Sequence, residues 1–173
     1  MGKTIISYIL LFVVLVAAQA VVFNHICLFG MAVPLVFIFF ILRLPVGIGI
    51  NTLLTLSFLL GLTVDIFSDT PGMNALDCTI LAALRNPILR LYMPREDDLA
   101  NTIPSMKTLS PSVFLKYVVT ATTLYCILYF ILESFTFFAL RQLVLRIVAS
   151  TLLTFIFIVC IDSLTSLKSE KRL

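Results

Sequence analysis

The stretch VGIGINTLLTLSFLLGLTVDIFSDTPGMNALDCTILAALRNPILRL, residues 46–91, contains two long apolar runs separated by a short polar turn. A helix needs roughly 20 apolar residues to cross about 30 Å of hydrocarbon, and each run approaches that length. The turn SDTPG, residues 68–72, holds residue types that favour the end of one helix and the start of another. The stretch therefore predicts two antiparallel membrane helices joined by a tight connection.

The composition indicates that the whole chain, and not only this stretch, lies in a membrane. Hydrophobic residues make up 61% of the 173 residues, against roughly 45 to 50% in soluble domains. Charged residues make up only 12%, and the mean hydropathy is +1.14. We therefore predict an all-α integral membrane protein, with six transmembrane helices in one compact bundle over residues 1–173. The predicted helices are 4–23, 27–42, 46–67, 71–91, 113–132 and 140–161, of which the second is short and kinked by Pro34.

The positions of Lys and Arg predict the orientation of this bundle. With both termini in the cytoplasm, only Arg141 and Arg146 lie on the outer side. The other ten of the twelve basic residues then lie at inner ends and loops: Lys3, Arg43, Arg85, Arg90, Arg95, Lys107, Lys116, Lys168, Lys171 and Arg172. Arg85 and Arg90 are expected to snorkel to lipid phosphates. The net charge of +3 is thus explained by topology, and no nucleic-acid partner is expected.

Two segments allow alternative interpretations. Lys3, the following apolar run and Ala18-Gln19-Ala20 imitate a secretory signal, and cleavage there would leave five helices. The apolar run is longer than a typical signal core and leads into further membrane helices, which favours an uncleaved first helix. The inner loop, residues 92–112, is either a solvated connector or a docking surface for a cytoplasmic partner.

Polar residues on the third helix predict one of its faces. Gly47, Asn51, Thr55 and Asp65 fall within about 80° of one another on a helical wheel. Small and hydroxylated residues permit close helix approach and interhelical hydrogen bonds. This stripe is therefore expected to be a buried face that ends at Asp65.

The acidic residues of the opening stretch are unusual for an apolar chain. Asp69 or Thr70 is expected to cap the fourth helix, with Pro71 in its first turn. Asp77 lies about six residues inside that helix, where a carboxylate needs a partner. We predict an outer polar cluster that joins Asp65 or Asp77 to Arg146 or Arg141, with Glu133 nearby. It is either a structural ion pair, or a site for a polar ligand or a proton relay.

The sequence offers no catalytic constellation. The single histidine, His25, cannot make a metal pair, and no nucleophile-elbow or Cys/His signature is present. The four cysteines are widely spaced, which suits neither a disulfide framework nor a zinc site. Asp65 and Asp77 lack the signatures of intramembrane aspartyl proteases. We therefore expect no catalytic residues, no metal, no cofactor and no enzymatic activity.

The opening stretch also resembles a family motif. Gly61-Leu62, Asp65, Pro71-Gly72 and Ala75-Leu76 resemble the motif of the MreD family of bacterial rod-shape-determining membrane proteins. That motif reads approximately G-L-x-x-D, then six or seven residues, then G-x-x-A-L. The chain length and the predicted six helices are also similar to the family. Asn74 stands where many relatives are expected to have histidine.

The resemblance implies a nonenzymatic subunit of the cell-elongation machinery in the bacterial cytoplasmic (inner) membrane. Family members bind MreC, a bitopic protein with a large outer domain. They are linked to the MreB filament, and to the RodA glycosyltransferase with its penicillin-binding transpeptidase. The resemblance also implies that Gly61, Asp65, Gly72 and Ala75 shape the outer ends of helices three and four.

A rival hypothesis comes from another class of membrane protein. The MreD architecture is similar to the substrate-binding subunits of energy-coupling-factor vitamin transporters, which also have six helices. Those subunits typically show an A-x-x-x-A pair on the first helix, where they dock the coupling module. Here Ala17, Ala18 and Ala20 are followed four residues later by Val21, Val22 and Asn24, so the docking signature is missing.

Overall fold

The computed structural model describes residues 2–21, 33–93, 103–133 and 140–170, and within these ranges every regular element is a helix. The helices of the described ranges are α1 (Gly2–Val21), α2 (Ile38–Arg43), α3 (Ile50–Ser68), α4 (Met73–Tyr92), α5 (Pro111–Glu133) and α6 (Leu140–Glu170). The predicted all-α class is confirmed. Residues 22–32 and 94–102, including part of the predicted second helix and part of the inner loop, lie outside the described residues.

Three of these helices are long and apolar enough to cross a membrane, namely Ile50–Ser68, Pro111–Glu133 and the part of α6 from Arg141 to Thr165. A shorter apolar stretch covers Ile6–Val21 in α1. The outward faces are apolar as well, as expected for a surface that contacts lipid. Large exposed hydrophobic side chains include Ile6, Ile9, Val13, Phe58, Ile66, Val144, Val148, Leu152 and Ile156. These features indicate a membrane protein.

Sequential helices pack side by side: α3 against α4, α4 against α5, and α5 against α6, with α1 against α3. The buried face of α3 contains Leu53, Ser57, Leu60 and Gly61. The predicted stripe is therefore wrong over most of its length, since Asn51 and Thr55 are exposed. Thr55 donates its hydroxyl to the carbonyl of Asn51 at 2.8 Å, so it needs no partner on another helix.

The predicted second helix, 27–42, is the largest departure of the fold from expectation. In its described part only Ile38–Arg43 is helical, a length of six residues, and residues 33–37 are irregular. Pro34 has no N–H and disfavours helical backbone in the residue before it. The segment 33–44, which we call the central segment, is nonetheless deeply buried, with Leu35 to Leu42 each at most 3% exposed.

Side chains of the flanking helices satisfy the irregular backbone of the central segment. The N–H of Val33 donates to Ser150 Oγ at 3.1 Å, and that of Leu35 donates to Thr154 Oγ1 at 3.0 Å. Gln19 bonds the segment twice: its Oε1 accepts from the N–H of Val36 at 3.2 Å, and its Nε2 donates to the carbonyl of Pro34 at 3.1 Å. Non-helical backbone at membrane depth is tolerated where it is buried in protein and bonded in this way.

The other end of the central segment is held by charged side chains. Arg43 forms an ion pair with Asp162 of α6 at 3.5 Å, and Asp162 Oδ2 also accepts from the N–H of Met106 at 3.1 Å. The contacts of the segment therefore advance along α6 from Ser150 to Asp162, about 18 Å at 1.5 Å per residue. The central segment runs parallel to α6 over that distance.

Arg85 of α4 is fully buried, so the expectation that it snorkels to lipid phosphates is wrong. Its guanidinium donates to the carbonyl of Leu44, to the carbonyl of Pro45 at 3.4 Å and to Tyr117 Oη at 3.3 Å. These carbonyls follow the short helix α2 and have no helical partner. Arg90 is exposed, as expected. In the described part of the inner loop, Pro104 and Leu109 are buried, whereas Lys107, Thr108 and Ser110 are exposed, so one side of this part packs on the bundle.

Candidate functional site

The candidate site is the turn between α3 and α4, where the residues of the family motif meet. Asp69 ends α3 with φ 52°, and Gly72 precedes α4 with φ 79°. Two left-handed residues reverse the chain within four positions, and Gly72 adopts this conformation without a Cβ penalty. Asp69 and Thr70 do not cap α4, because the N-cap position is Gly72 and Pro71 lies before the helix. The predicted capping residues are thus wrong.

Asp65 performs the capping from the neighbouring helix. Its Oδ1 accepts hydrogen bonds from the Asn74 N–H at 3.0 Å, the Asn74 Nδ2 at 2.9 Å and the Thr70 hydroxyl at 2.5 Å. Its Oδ2 accepts from the N–H of Ala75 at 2.9 Å. The carboxylate is only 4% exposed, and it faces the first turn of α4, where the helix dipole favours negative charge. Asp65 therefore fastens the end of α3 to the beginning of α4.

Gly61, one turn earlier on α3, brings the two helix backbones into contact. A Cβ atom at this position would lie 2.4 Å from the carbonyl oxygen of Asn74 and 2.5 Å from the Cα of Ala75. Both atoms belong to the backbone and cannot swing aside as a flexible side chain would. Only glycine fits here, and the close approach allows the Asp65 carboxylate to reach the N–H groups of α4.

Asn74 and Tyr125 extend the site to α5, and both were missed by the predicted site. The Tyr125 hydroxyl donates to Asn74 Oδ1 at 2.9 Å, while the other side of the same amide donates to Asp65. The Tyr125 ring packs edge-to-face on Phe37 of the central segment, with 5.8 Å between ring centroids. The sequence signal for Asn74 was its position inside the motif, where many relatives are expected to have histidine. Nothing in the sequence singles out Tyr125.

The predicted outer polar cluster is only partly assembled. Arg146 contacts Glu133 at 3.5 Å, and both side chains are about a third exposed. Arg141 is exposed and contacts no carboxylate in the part of the chain that the structure describes. Asp65 is bonded within the α3–α4 turn instead. Among the described residues, neither Asp65 nor Asp77 pairs with Arg146 or Arg141, so the predicted pairing is not formed there.

Asp77 is fully buried on α4, one turn beyond Asn74. Among the described residues neither of its carboxylate oxygens has a hydrogen-bond partner. A buried carboxylate without donors or a counter-ion is unfavourable in its charged form, and the nearby Asp65 carboxylate adds repulsion. Asp65 on α3 and Asp77 on α4 thus differ in their hydrogen bonding: the Asp65 carboxylate has donors from α4, whereas the Asp77 carboxylate has none among the described residues.

A cavity of about 260 Å³ opens beside the α3–α4 turn. Within the described ranges, no group of three or more His, Cys, Asp or Glu side chains is arranged to hold a metal ion. The Asp65 carboxylate has its oxygens occupied by donors from α4 and the turn, so its geometry suits a structural joint.

Comparison of the chain with family models, with curated proteins and with solved structures returned no match. The features that bear on function are the geometry of the α3–α4 turn and the motif that its residues resemble. Gly61, Asp65, Gly72 and Ala75 are distributed over 15 positions of the sequence, and in the fold they form one contact between two helices.

Proposed function

We propose that this chain is a nonenzymatic membrane scaffold subunit of the bacterial cell-elongation machinery, of the MreD type. One observation carries the proposal: the four motif residues form a single joint, in which Gly61 allows the helices to touch, Gly72 turns the chain and Asp65 caps α4 at Ala75. A motif whose residues serve helix packing and capping supports a structural, nonenzymatic role.

The proposed topology has six crossings with both termini in the cytoplasm of a bacterial cell. The central segment forms part of the second crossing, and its contacts follow α6 for about 18 Å from Ser150 to Asp162. The distribution of Lys and Arg supports the orientation. The bundle thus offers apolar helix faces to the bilayer and to the membrane helices of other proteins.

In this proposal the direct partner is an MreC-like bitopic protein, whose single membrane helix packs on the exposed apolar surface of the bundle. Through it the chain is linked to the MreB filament, to the RodA glycosyltransferase and to the penicillin-binding transpeptidase. A rigid α3–α4 joint holds that surface in one shape. Helix association in lipid depends on such packing, because the bilayer supplies little hydrophobic driving force between helices.

The second candidate is a substrate-binding subunit of an energy-coupling-factor vitamin transporter. The cavity of about 260 Å³ beside the α3–α4 turn favours it. That volume is at or below the lower end of ligand sites, which are typically about 300 to 1,000 Å³. The missing docking signature on α1 counts against it.

Co-purification distinguishes the two candidates. The protein, tagged at its C-terminus in its own bacterium, is solubilised gently, and the proteins that co-purify are identified by mass spectrometry. We expect an MreC-like bitopic protein together with wall-synthesis enzymes. A coupling membrane subunit with two ATPases would instead establish the transporter, and recovery of neither from well-folded protein would refute the scaffold.

A matched pair of variants tests the α3–α4 joint in the same experiment. Gly61→Ala places a Cβ against the backbone of α4, whereas Gly49→Ala places one 3.9 Å from its nearest neighbour, Thr52 Oγ1. At equal amounts of membrane-inserted protein, we expect G61A to recover at most about a tenth of the partner that the wild type recovers. The G49A variant is expected to recover the full amount. Equal recovery by both variants would show that the joint has no part in partner binding.

A further inference from the structure

The cavity beside the α3–α4 turn has walls from four parts of the fold. The central segment contributes Val33, Leu35 and Phe37, and α5 contributes Tyr129. The end of α3, the turn and the start of α4 also line it, together with Gln19 of α1. The cavity is therefore built from elements that the α3–α4 joint and the central segment hold in place.

The lining combines an apolar wall with polar groups near the turn. Leu35, Phe37 and Val64 are buried hydrophobic residues. The polar part includes Asn74 and the hydroxyl residues Ser68, Thr70 and Tyr129. This division suits a molecule with one apolar part and one polar part.

The charges of the lining residues indicate which class of ligand the cavity suits. Among the described residues that line the cavity, Asp69 is the only charged one, and its side chain is exposed at the turn. Because these described lining residues include no Lys or Arg, they offer an anionic ligand no counter-ion. The lining includes three aromatic residues, Phe37, Phe67 and Tyr129, and aromatic rings attract cations through their π faces.

The volume limits the size of the molecule. The cavity of about 260 Å³ lies just below the range of about 300 to 1,000 Å³ that is typical of ligand sites. A site of this size favours a small, compact molecule.

We propose that this cavity binds a small organic cation, a protonated amine with a compact apolar body. The ammonium group lies at Asp69, and the apolar body lies against Phe67 and Tyr129, whose side chains keep accessible surface. This site goes beyond the scaffold function and does not depend on it, because its chemistry follows from the lining alone.

Binding of three probes to the purified full-length protein in nanodiscs tests the proposal. The probes are phenethylamine, phenethyl alcohol and phenylacetate, which share an aromatic body and differ in their polar end. Isothermal titration calorimetry, with empty nanodiscs subtracted, gives the affinity of each probe. We expect the amine to bind at least about tenfold more tightly than the alcohol, a ratio that corresponds to about 1.4 kcal/mol, and the carboxylate to bind more weakly still.

Three variants locate the site. Asp69→Asn removes the charge, and asparagine tolerates the left-handed backbone of residue 69. Val33→Phe adds bulk to the cavity wall. Glu133→Gln removes an exposed carboxylate at the same end of the bundle that does not line the cavity. We expect D69N to weaken amine binding about tenfold, V33F to abolish binding of all probes, and E133Q to leave affinities within twofold.

The remaining outcomes contradict the proposal. Equal affinity for amine and alcohol, or an unchanged amine affinity in a folded D69N variant, would refute the assignment to a cation. Absence of saturable binding by any probe to the wild type would refute the site itself. Helical content by circular dichroism confirms that each variant is folded, and a second bulky substitution, Leu35→Phe, replaces V33F if that variant fails to fold.

Discussion

Replacing Gly61 by alanine is the sharpest test of the α3–α4 joint. The added Cβ would lie 2.4 Å from the Asn74 carbonyl oxygen, whereas ordinary contacts begin near 3.4 Å. The two helices must therefore separate by about 1 Å. A movement of that size lengthens the bond from the Ala75 N–H to Asp65, now 2.9 Å, beyond hydrogen-bond distance.

The expected loss of stability follows from three contributions. Overpacking against backbone costs about 1 to 3 kcal/mol. Loss of hydrogen bonds to the Asp65 carboxylate costs about 1.5 to 3 kcal/mol more. Alanine improves helix propensity by about 1 kcal/mol over glycine, which offsets part of this. We therefore expect a net destabilisation of about 3 kcal/mol, and a melting temperature that falls by roughly 6 to 12 °C.

Thermal unfolding in detergent, followed by far-ultraviolet circular dichroism, measures the effect. The control is Gly49→Ala, whose added Cβ finds its nearest atom at 3.9 Å and whose backbone φ of −56° suits any residue. Gly49 is the N-cap residue of α3, where alanine is less favourable than glycine, so the control is expected to cost at most about 1 kcal/mol. If G61A melts within a degree or two of G49A, the helix backbones are not in contact and the reasoning is wrong.

Three other substitutions test the polar interior, all by the same unfolding measurement. Asp65→Asn keeps the shape of the side chain but places an amide N–H₂ among donors, and should destabilise the protein by about 2 to 3 kcal/mol; an unchanged melting curve would rule out capping by Asp65. Asp77→Asn removes a carboxylate that has no hydrogen-bond partner in the described part of the chain, and should cost at most about 0.5 kcal/mol. A loss as large as that of D65N would mean that Asp77 has a partner. Arg85→Lys should cost about 2 to 3 kcal/mol, because one ammonium cannot reproduce the guanidinium contacts to two carbonyls and a phenol. The control, Arg90→Lys on the exposed face, should cost nothing measurable. Equal effects of the two substitutions would contradict the buried role of Arg85.

The long apolar helices were predictable from local sequence. The predicted helix 46–67 corresponds to Ile50–Ser68, 71–91 to Met73–Tyr92 and 113–132 to Pro111–Glu133. Apolar length and Pro, Gly and Asp punctuation determine where such helices begin and end, and these are properties of neighbouring residues. The composition likewise determined that the chain is apolar enough for a bilayer.

The side-chain partners were not predictable in the same way. The sequence places Asp65 at the end of a helix but gives no sign that its carboxylate reaches across to the N–H groups of Asn74 and Ala75. That contact needs the close helix approach at Gly61, which is a property of two helices together. Reasoning about depth alone paired Asp77 with Arg146, and depth does not determine which way a side chain points.

What the sequence by itself determined is the helical class, the apolar surface and the position of the α3–α4 turn, because these depend on hydropathy and on residues adjacent in the chain. Only the tertiary structure decided the conformation of the central segment. Residues 33–37 are not helical, and Gln19 of α1 and Thr154 of α6 supply the hydrogen bonds that a helix would otherwise supply. Thr154 is 119 positions from Leu35, and Gln19 is 17 positions from Val36, so that conformation depends on residues that no local pattern contains.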